Sequence, residues 1–358
     1  MQAEELAKRY PLKDIKTIEY ARQLWEARFS PCGQFVIAAG YDAQVQRWRV
    51  TDAGLDGLPP IKGHNGWVQC LDFVADGERV ISADSWGAVS CWKYSEAESP
   101  APIWTRPQAL AGWVRAIDVS PDGASVAVAG NDRVIRILKT SDGSTLKEFS
   151  VPEDVFSVCF HPAGKHLVAG DLKAMLRAWE IDSGKVSKEF EVPGFYKLNH
   201  MQDCGGIRCL RFDPTGQKLI FGGQKEPDGG FAKGAPVIAV FDWEAGQIVH
   251  QILAGDDQDG FIYDLQFHPD GFVMGAASAF PGKGKLFFWQ TGDEKPFFVS
   301  PKLSNGRSVS LHPDKRRVLF LMADSSNGNG RSLGKDGEYF GGRARLHLLS
   351  LPEIAAAT

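Results

Sequence analysis

His200, Asp203 and Cys204 put three metal-binding side chain types within five residues. A zinc site would need further ligands, and none can be named nearby. Asp256, Asp257 and Asp259 could offer carboxylates to Ca²⁺ but lack the surrounding oxygen-ligand pattern, so they read as a solvated acidic loop. His161, His268 and His312 each precede a proline, which makes them a repeated position rather than a catalytic trio. Gly282 to Lys285 (GKGK) does not follow a strand and open a helix, so it is weak as a phosphate loop. No Gly-x-Ser-x-Gly nucleophile elbow occurs. No catalytic residue, metal site or cofactor is expected.

A more promising set recurs at wide intervals. Trp25, Gln69, Arg115, Phe156, Arg208, Tyr263 and Arg307 each stand four residues ahead of an apolar anchor (Phe29, Phe73, Val119, Phe160, Phe212, Phe267 and Leu311). Two positions further back lie Trp67, Trp113 and Phe261. Arginine and aromatic residues are enriched at binding hot spots, because they combine large contact area with several donors. The alternative reading is that the aromatics fill a wall while the arginines pair with acids such as Asp154 or Asp264.

The elements that must position this set form a repeat. After each anchor comes a tight turn: Pro31-Cys32-Gly33, Ala75-Asp76-Gly77, Pro121-Asp122-Gly123, Pro162-Ala163-Gly164, Pro214-Thr215-Gly216, Pro269-Asp270-Gly271 and Pro313-Asp314-Lys315. Proline presets the turn backbone, and glycine accepts the positive φ that ends it. Successive turns are separated by 41 to 55 residues, and each unit holds strand, turn, strand, polar turn and strand. The third strands close on Trp48, Trp92, Leu138, Trp179, Trp243, Trp289 and Leu348. Seven units of this period predict an all-β, seven-bladed propeller of four-stranded antiparallel blades.

On these residues the chain resembles the WD-repeat β-propeller family across nearly its whole length. Gly63-His64 matches the family's inter-blade dipeptide, and Ser82 and Trp92 match two further members of its buried hydrogen-bond network. The family's aspartate, six residues before the closing tryptophan, is matched by Asp42 and Asp132. The second unit has Trp86 there, and the last four units lack it. No unit therefore carries the full His-Asp-Ser-Trp set, and the blades are expected to rely on apolar packing. The resemblance implies a non-catalytic protein-interaction scaffold whose ring of inner-strand residues looks into the channel mouth.

The chain of 358 residues carries 43% apolar and 23% charged residues and a net charge of −4, an ordinary balance for a soluble globular protein. That charge gives no reason to expect nucleic acid or an acidic membrane as partner. Six cysteines without a CxxC pair read as reduced thiols in a cytoplasmic protein, with Cys204 the most reactive because of its expanded loop. Residues 1–12 read as an N-terminal amphipathic arm, 13–352 as the propeller and 353–358 as a tail. The last unit has only three strands of its own, so Ile15–Ile18 is expected to supply its outer strand and close the ring; the alternative is a loose extension.

Five expanded segments (192–206, 224–236, 256–259, 279–285 and 323–342) fall at the end of the blades opposite the tight turns. Loops on a rigid scaffold are where binding concentrates. The expected partner is a protein, with an acidic or aromatic peptide segment seated at the mouth and over blades five to seven. Its contact residues are Trp25, Trp67, Trp113, Arg115, Phe156, Arg208, Tyr263 and Arg307. The protein itself is expected to be a monomer or a subunit of a larger complex. A lactonase-like propeller enzyme and a carbohydrate-binding propeller (on Trp67, Trp86 and Trp113) are the alternatives from other classes.

Overall fold

The computed structural model describes residues 3–199, 201–225, 234–279, 283–323, 332, 333, 335, 339, 340 and 342–351. Seven four-stranded antiparallel sheets form the blades of a propeller. In the first blade the strands run Leu24–Phe29, Phe35–Gly40, Gln44–Thr51 and Gly54–Lys62 from the channel outward. The other inner strands are Val68–Phe73, Val114–Val119, Val155–Phe160, Cys209–Phe212, Phe261–Phe267 and Gly306–Leu311. Second strands are almost wholly buried, as in Phe35–Gly40 and Phe272–Ser278. They read as continuous apolar runs because neighbouring blades cover both their faces. Each fully buried Phe, Val or Leu there contributes about 1.5–3 kcal/mol.

The ring closes as expected. Lys13–Tyr20 pairs antiparallel with Ala344–Ser350, with Tyr20 opposite Ala344 and Thr17 opposite His347. It is thus the outer strand of the seventh blade. Ahead of it, the helix Ala3–Arg9 buries Leu6, and Tyr10 follows it into the same cluster with Phe272, Phe288 and Phe320. The N-terminal arm is therefore docked against blades six and seven.

Two expectations about the blades need correction. The second blade does carry a complete polar network. His64 lies 2.7 Å (Nε2) from Ser82 Oγ and 3.0 Å (Nδ1) from Asp84 Oδ2, and Trp92 Nε1 donates to Ser82 Oγ at 2.9 Å. Asp84 ends the second strand, two residues before the expected position, and its other oxygen accepts from the amides of Trp86 and Ala88. Burial would raise its carboxyl, but His64 and these amides hold it below its ordinary value. In the fifth blade the closing position is Phe241, opposite Leu219, and not Trp243. Trp243 lies beyond the strand end and packs on His161, His166 and Phe212.

The repeated histidines are latches between blades. His161 Nε2 meets Gly216 O at 3.1 Å and His312 Nε2 meets Gly33 O at 2.8 Å, each across to the next blade's tight turn. Their Nδ1 atoms lie 3.0 Å from the amides of Ala163 and Asp314, and the His312 ring also meets Arg317 Nη2 and Asp314 Oδ1.

The connection 192–206 folds into its own hairpin, Tyr196–Asn199 with Gln202–Gly205. Phe195 and Cys204 at its base are buried, so Cys204 is not the reactive thiol expected. Cys32 in the first tight turn is the exposed one, and all six cysteines are free. The expansions expected at 224–236 and 323–342 fall largely, and that at 279–285 in part, outside the described residues. No helix among the described residues is long and apolar enough to cross a membrane.

Candidate functional site

The inner strands share one irregularity. Their pairing with the second strands skips one residue at Trp25, Gln69, Arg115, Phe156, Tyr263 and Arg307. In the fifth blade the ladder begins only at Cys209, just after Arg208. A bulge leaves the extra residue unpaired and re-aims its side chain. All seven side chains accordingly line one cavity of about 120 Å³ at the channel mouth. The ring counted along the sequence is therefore a ring in space.

Among the described residues no acid lies within ion-pair distance of these arginines. Asp154 meets Arg133 at 3.6 Å, while Asp264 bonds Arg28 and lies 3.6 Å from Arg211, deeper in the channel. Instead they interleave with aromatic faces. Arg115 lies 4.8 Å from the centre of the Phe156 ring and 5.5 Å from that of Trp113. Arg208 sits over Phe156 at 3.8 Å and Phe261 at 4.8 Å, and Arg307 over Trp25 at 4.5 Å and Tyr263 at 4.4 Å. Each stacked pair offsets part of the cost of removing the cation from water.

Over blades one to three the belt continues as an aromatic arc. Trp25 stacks on Tyr41 at 5.9 Å, Tyr41 on Trp67 at 4.7 Å, and Trp67 meets Trp113 edge-on at 5.8 Å. Trp67 and Trp113 are each 36% exposed and Trp86 is 66% exposed, a wetted aromatic rim. Sequence reasoning missed Tyr41, whose signal was its place in the turn between second and third strands of the first blade. Burial raises its phenol well above the ordinary value.

Charges in the mouth act on one another. Burial, reinforced by Arg115, pushes Arg208 down to about 10, and Tyr263 partly offsets this. Burial alone would raise the Tyr263 phenol, yet Arg307, Arg208 and Arg115 together bring it below its ordinary value.

Below the mouth, side chains of one inner strand cap amides of the next. Glu26 Oε2 accepts from Leu71, Asp72 Oδ2 from Val119, Asp118 Oδ2 from Phe160 and Asp264 Oδ2 from Val309. Ser308 and Ser310 close the circle onto Ala27 and Phe29.

The other candidates do not assemble. Asp203 accepts a hydrogen bond from Tyr196 at 2.6 Å, Cys204 is buried and His200 lies outside the described residues. Asp259 is turned inward and accepts from the amide of Asp256. Among the described residues no group of three His, Cys, Asp or Glu could hold a metal ion.

Comparison with known proteins agrees with this architecture. The family model described as "WD domain, G-beta repeat" matches residues 58–93, 104–138 and 143–180. A guanine nucleotide-binding protein subunit beta of Arabidopsis thaliana is 23% identical over 270 residues, 72% of this chain and 65% of that one. The U5 small nuclear ribonucleoprotein 40 kDa protein of Dictyostelium discoideum is 23% identical over 168 residues, 47% of this chain and 46% of its own. The small ribosomal subunit protein RACK1y of Oryza sativa subsp. japonica is 25% identical over 132 residues, 36% and 38% of the two chains. This chain thus spans between 38% and 65% of the length of these relatives. Seven four-stranded blades, a complete polar network in the second and three matched repeats make the chain similar to the WD-repeat β-propellers.

Proposed function

We propose that this propeller is a non-catalytic protein-interaction scaffold that seats its partner at the channel mouth and on the loop-bearing end of blades five to seven. The observation that carries this reading is the convergence of Trp25, Arg115, Phe156, Arg208, Tyr263 and Arg307 on one cavity, with Trp67 and Trp113 on its rim. A rigid scaffold has pre-aimed large aromatic faces and multiple donors at one opening, which is how binding hot spots are built. A lactonase-like enzyme would call for acids or histidines at this mouth, and its lining of arginine and aromatic residues supports recognition instead. The relatives support it too: by name, two of them belong to a ribosomal subunit and a small nuclear ribonucleoprotein. The six free thiols support a reducing compartment such as the cytoplasm.

The test is affinity capture from the native host with mass spectrometry, comparing the wild-type chain with Arg208→Glu/Arg307→Glu. The double variant should lose the partner while its Tm stays within a few degrees. Shortening the segment 325–341 to a Gly-Ser turn should do the same. Folded variants that still capture the same proteins would move the recognition face elsewhere, for example to the tight-turn end.

A further inference from the structure

Three guanidinium groups share the mouth, and among the described residues only the Asp154 charge, itself 3.6 Å from Arg133, reaches Arg115, while Arg307 bonds the Tyr263 side chain. Each cation lies over aromatic rings, Arg115 over Trp113 and Phe156, Arg208 over Phe156 and Phe261, and Arg307 over Trp25 and Tyr263. A guanidinium carries five N–H donors, and an aromatic ring offers none of them a carboxylate or carbonyl acceptor. Arg115 Nε and Arg307 Nη1 are buried donors with no acceptor among the described residues. An orphaned donor on a cation calls for an anionic acceptor more strongly than a neutral one does. The acids near them are engaged elsewhere, Asp154 with Arg133 and Glu26 and Asp264 with Arg28. Arg208 reaches one carbonyl, that of Gly205 at 3.0 Å, through Nε.

The placement of the three cations restricts the anion. They come from blades three, five and seven, so they surround the axis instead of lining one wall. A carboxylate presents two oxygens in one plane and suits a single bidentate arginine. A phosphate monoester presents three terminal oxygens around an axis, one toward each guanidinium, with its fourth oxygen directed out of the open mouth. We infer that the mouth cavity binds one phosphate monoester or free phosphate group, held by Arg115, Arg208 and Arg307. The same three arginines also bring the Tyr263 phenol below its ordinary value. The inference deepens the recognition reading, and it rests on that reading only for the source of the phosphate: a phosphorylated side chain of the partner, or the free ion.

The test uses the intact protein alone, at constant ionic strength and pH 7.5, by titration calorimetry. The probes are inorganic phosphate, N-acetyl-phosphoserine amide and N-acetyl-glutamate amide. Saturable one-site binding of a phosphate probe is expected, with the glutamate probe weaker by roughly tenfold or more. Arg208→Gln and Arg307→Gln should each weaken the phosphate probe by roughly tenfold. Arg115→Lys, which keeps the charge and loses the fork, should have a smaller effect. In parallel, occupancy should raise the Tyr263 phenol pKa in an ultraviolet absorbance titration, a signal absent in Tyr263→Phe. Should either glutamine variant fail to fold, that titration on the wild type decides. Tighter binding of phosphoserine points to a phosphorylated partner, and tighter binding of inorganic phosphate to the free ion. No saturable heat at about 10 mM of either phosphate probe, equal binding of glutamate, or binding that survives both glutamine variants would overturn the inference. Lost partner capture in Arg208→Glu/Arg307→Glu without phosphate binding would sink this inference alone. Phosphate binding with partner capture retained would sink the recognition reading alone.

Discussion

The guanidinium of Arg208 lies 3.8 Å from the ring centre of Phe156, a residue of the neighbouring blade. The same Phe156 ring also receives Arg115 from its other neighbour, so one aromatic side chain serves cations from two blades. Aromatic rings take the place of the ion-pair partners that the described residues do not supply to these three arginines. Arg115 Nε and Arg307 Nη1 keep buried donors with no acceptor among the described residues. Lower in the channel, Glu26, Asp72, Asp118 and Asp264 tie neighbouring blades together through amides of the next inner strand.

Closure by the N-terminus should be essential to stability. Removing residues 1–20 would take away the outer strand of the seventh blade together with buried Leu6 and Tyr10. Losing buried side chains of this kind costs about 1.5–3 kcal/mol each before any unpaired edge is counted. The deletion variant should melt many degrees below the full chain; an unchanged Tm would contradict the closure.

The network His64, Ser82, Asp84 and Trp92 should behave as a unit. Asp84→Ala would leave the His64 ring and the Trp86 and Ala88 amides without their acceptor. Each buried group left unsatisfied costs about 1–3 kcal/mol. The variant should lose at least that much stability by urea denaturation, and the double variant with His64→Ala should lose less than the sum of the two single changes. Strict additivity would show the network to be incidental.

Asp118 should make the propeller less stable as pH rises. Asp72 and Asp118 stand on neighbouring inner strands and cap the amides of Val119 and Phe160 on the next ones. Burial pushes Asp118 up to about 8, with the Asp72 charge adding to it, and burial pushes Asp72 up to about 6 against the amides of Val119 and Phe73. Free aspartate titrates near 3.9, so between about pH 4 and 8 the folded chain holds protons that the unfolded chain has released. Stability therefore falls as pH rises through that window. Asp118→Asn, which keeps an acceptor for the Phe160 amide, should have a higher Tm than wild type at pH 8.5 and lose the advantage at pH 5. A variant that tracks the wild type at both pH values would contradict this.

Cys32 should be the first thiol to react. Its partial burial would raise the thiol, but hydrogen bonding with Ser30, at 3.2 Å, and with the Gln34 amide and Tyr94 brings it below its ordinary value. Burial raises Cys70, Cys91, Cys159, Cys204 and Cys209. One equivalent of iodoacetamide should modify Cys32 first, and Cys32→Ser should remove the fast phase. Peptide mapping that finds Cys204 labelled first would contradict it.

The turn spacing made the blades legible in the sequence, because Pro-x-Gly chemistry recurs wherever an inner strand must reverse. Counting back from the anchor found the mouth for a related reason: each inner strand contributes one residue at that height. What spacing could not convey was the bulge at that residue, since an extra unpaired position looks like any other in a short strand. Nor could it reveal that Asp84 reaches His64, because the acid sits at the strand end and not in the turn. Trp243 misled for a simpler reason: a tryptophan near a strand end was read as the closing residue that is in fact Phe241. The sequence places Cys204 in a long connection, and only the folding of that connection into a hairpin buries it.

Site-specific photo-crosslinking tests most directly which end of the propeller recognises the partner. Benzoylphenylalanine placed at Trp113, on the mouth rim, should form covalent adducts with the partner in the native host. The same probe at Thr215, in a tight turn at the opposite end, should form none. Adducts from Thr215 with none from Trp113 would contradict recognition at the mouth.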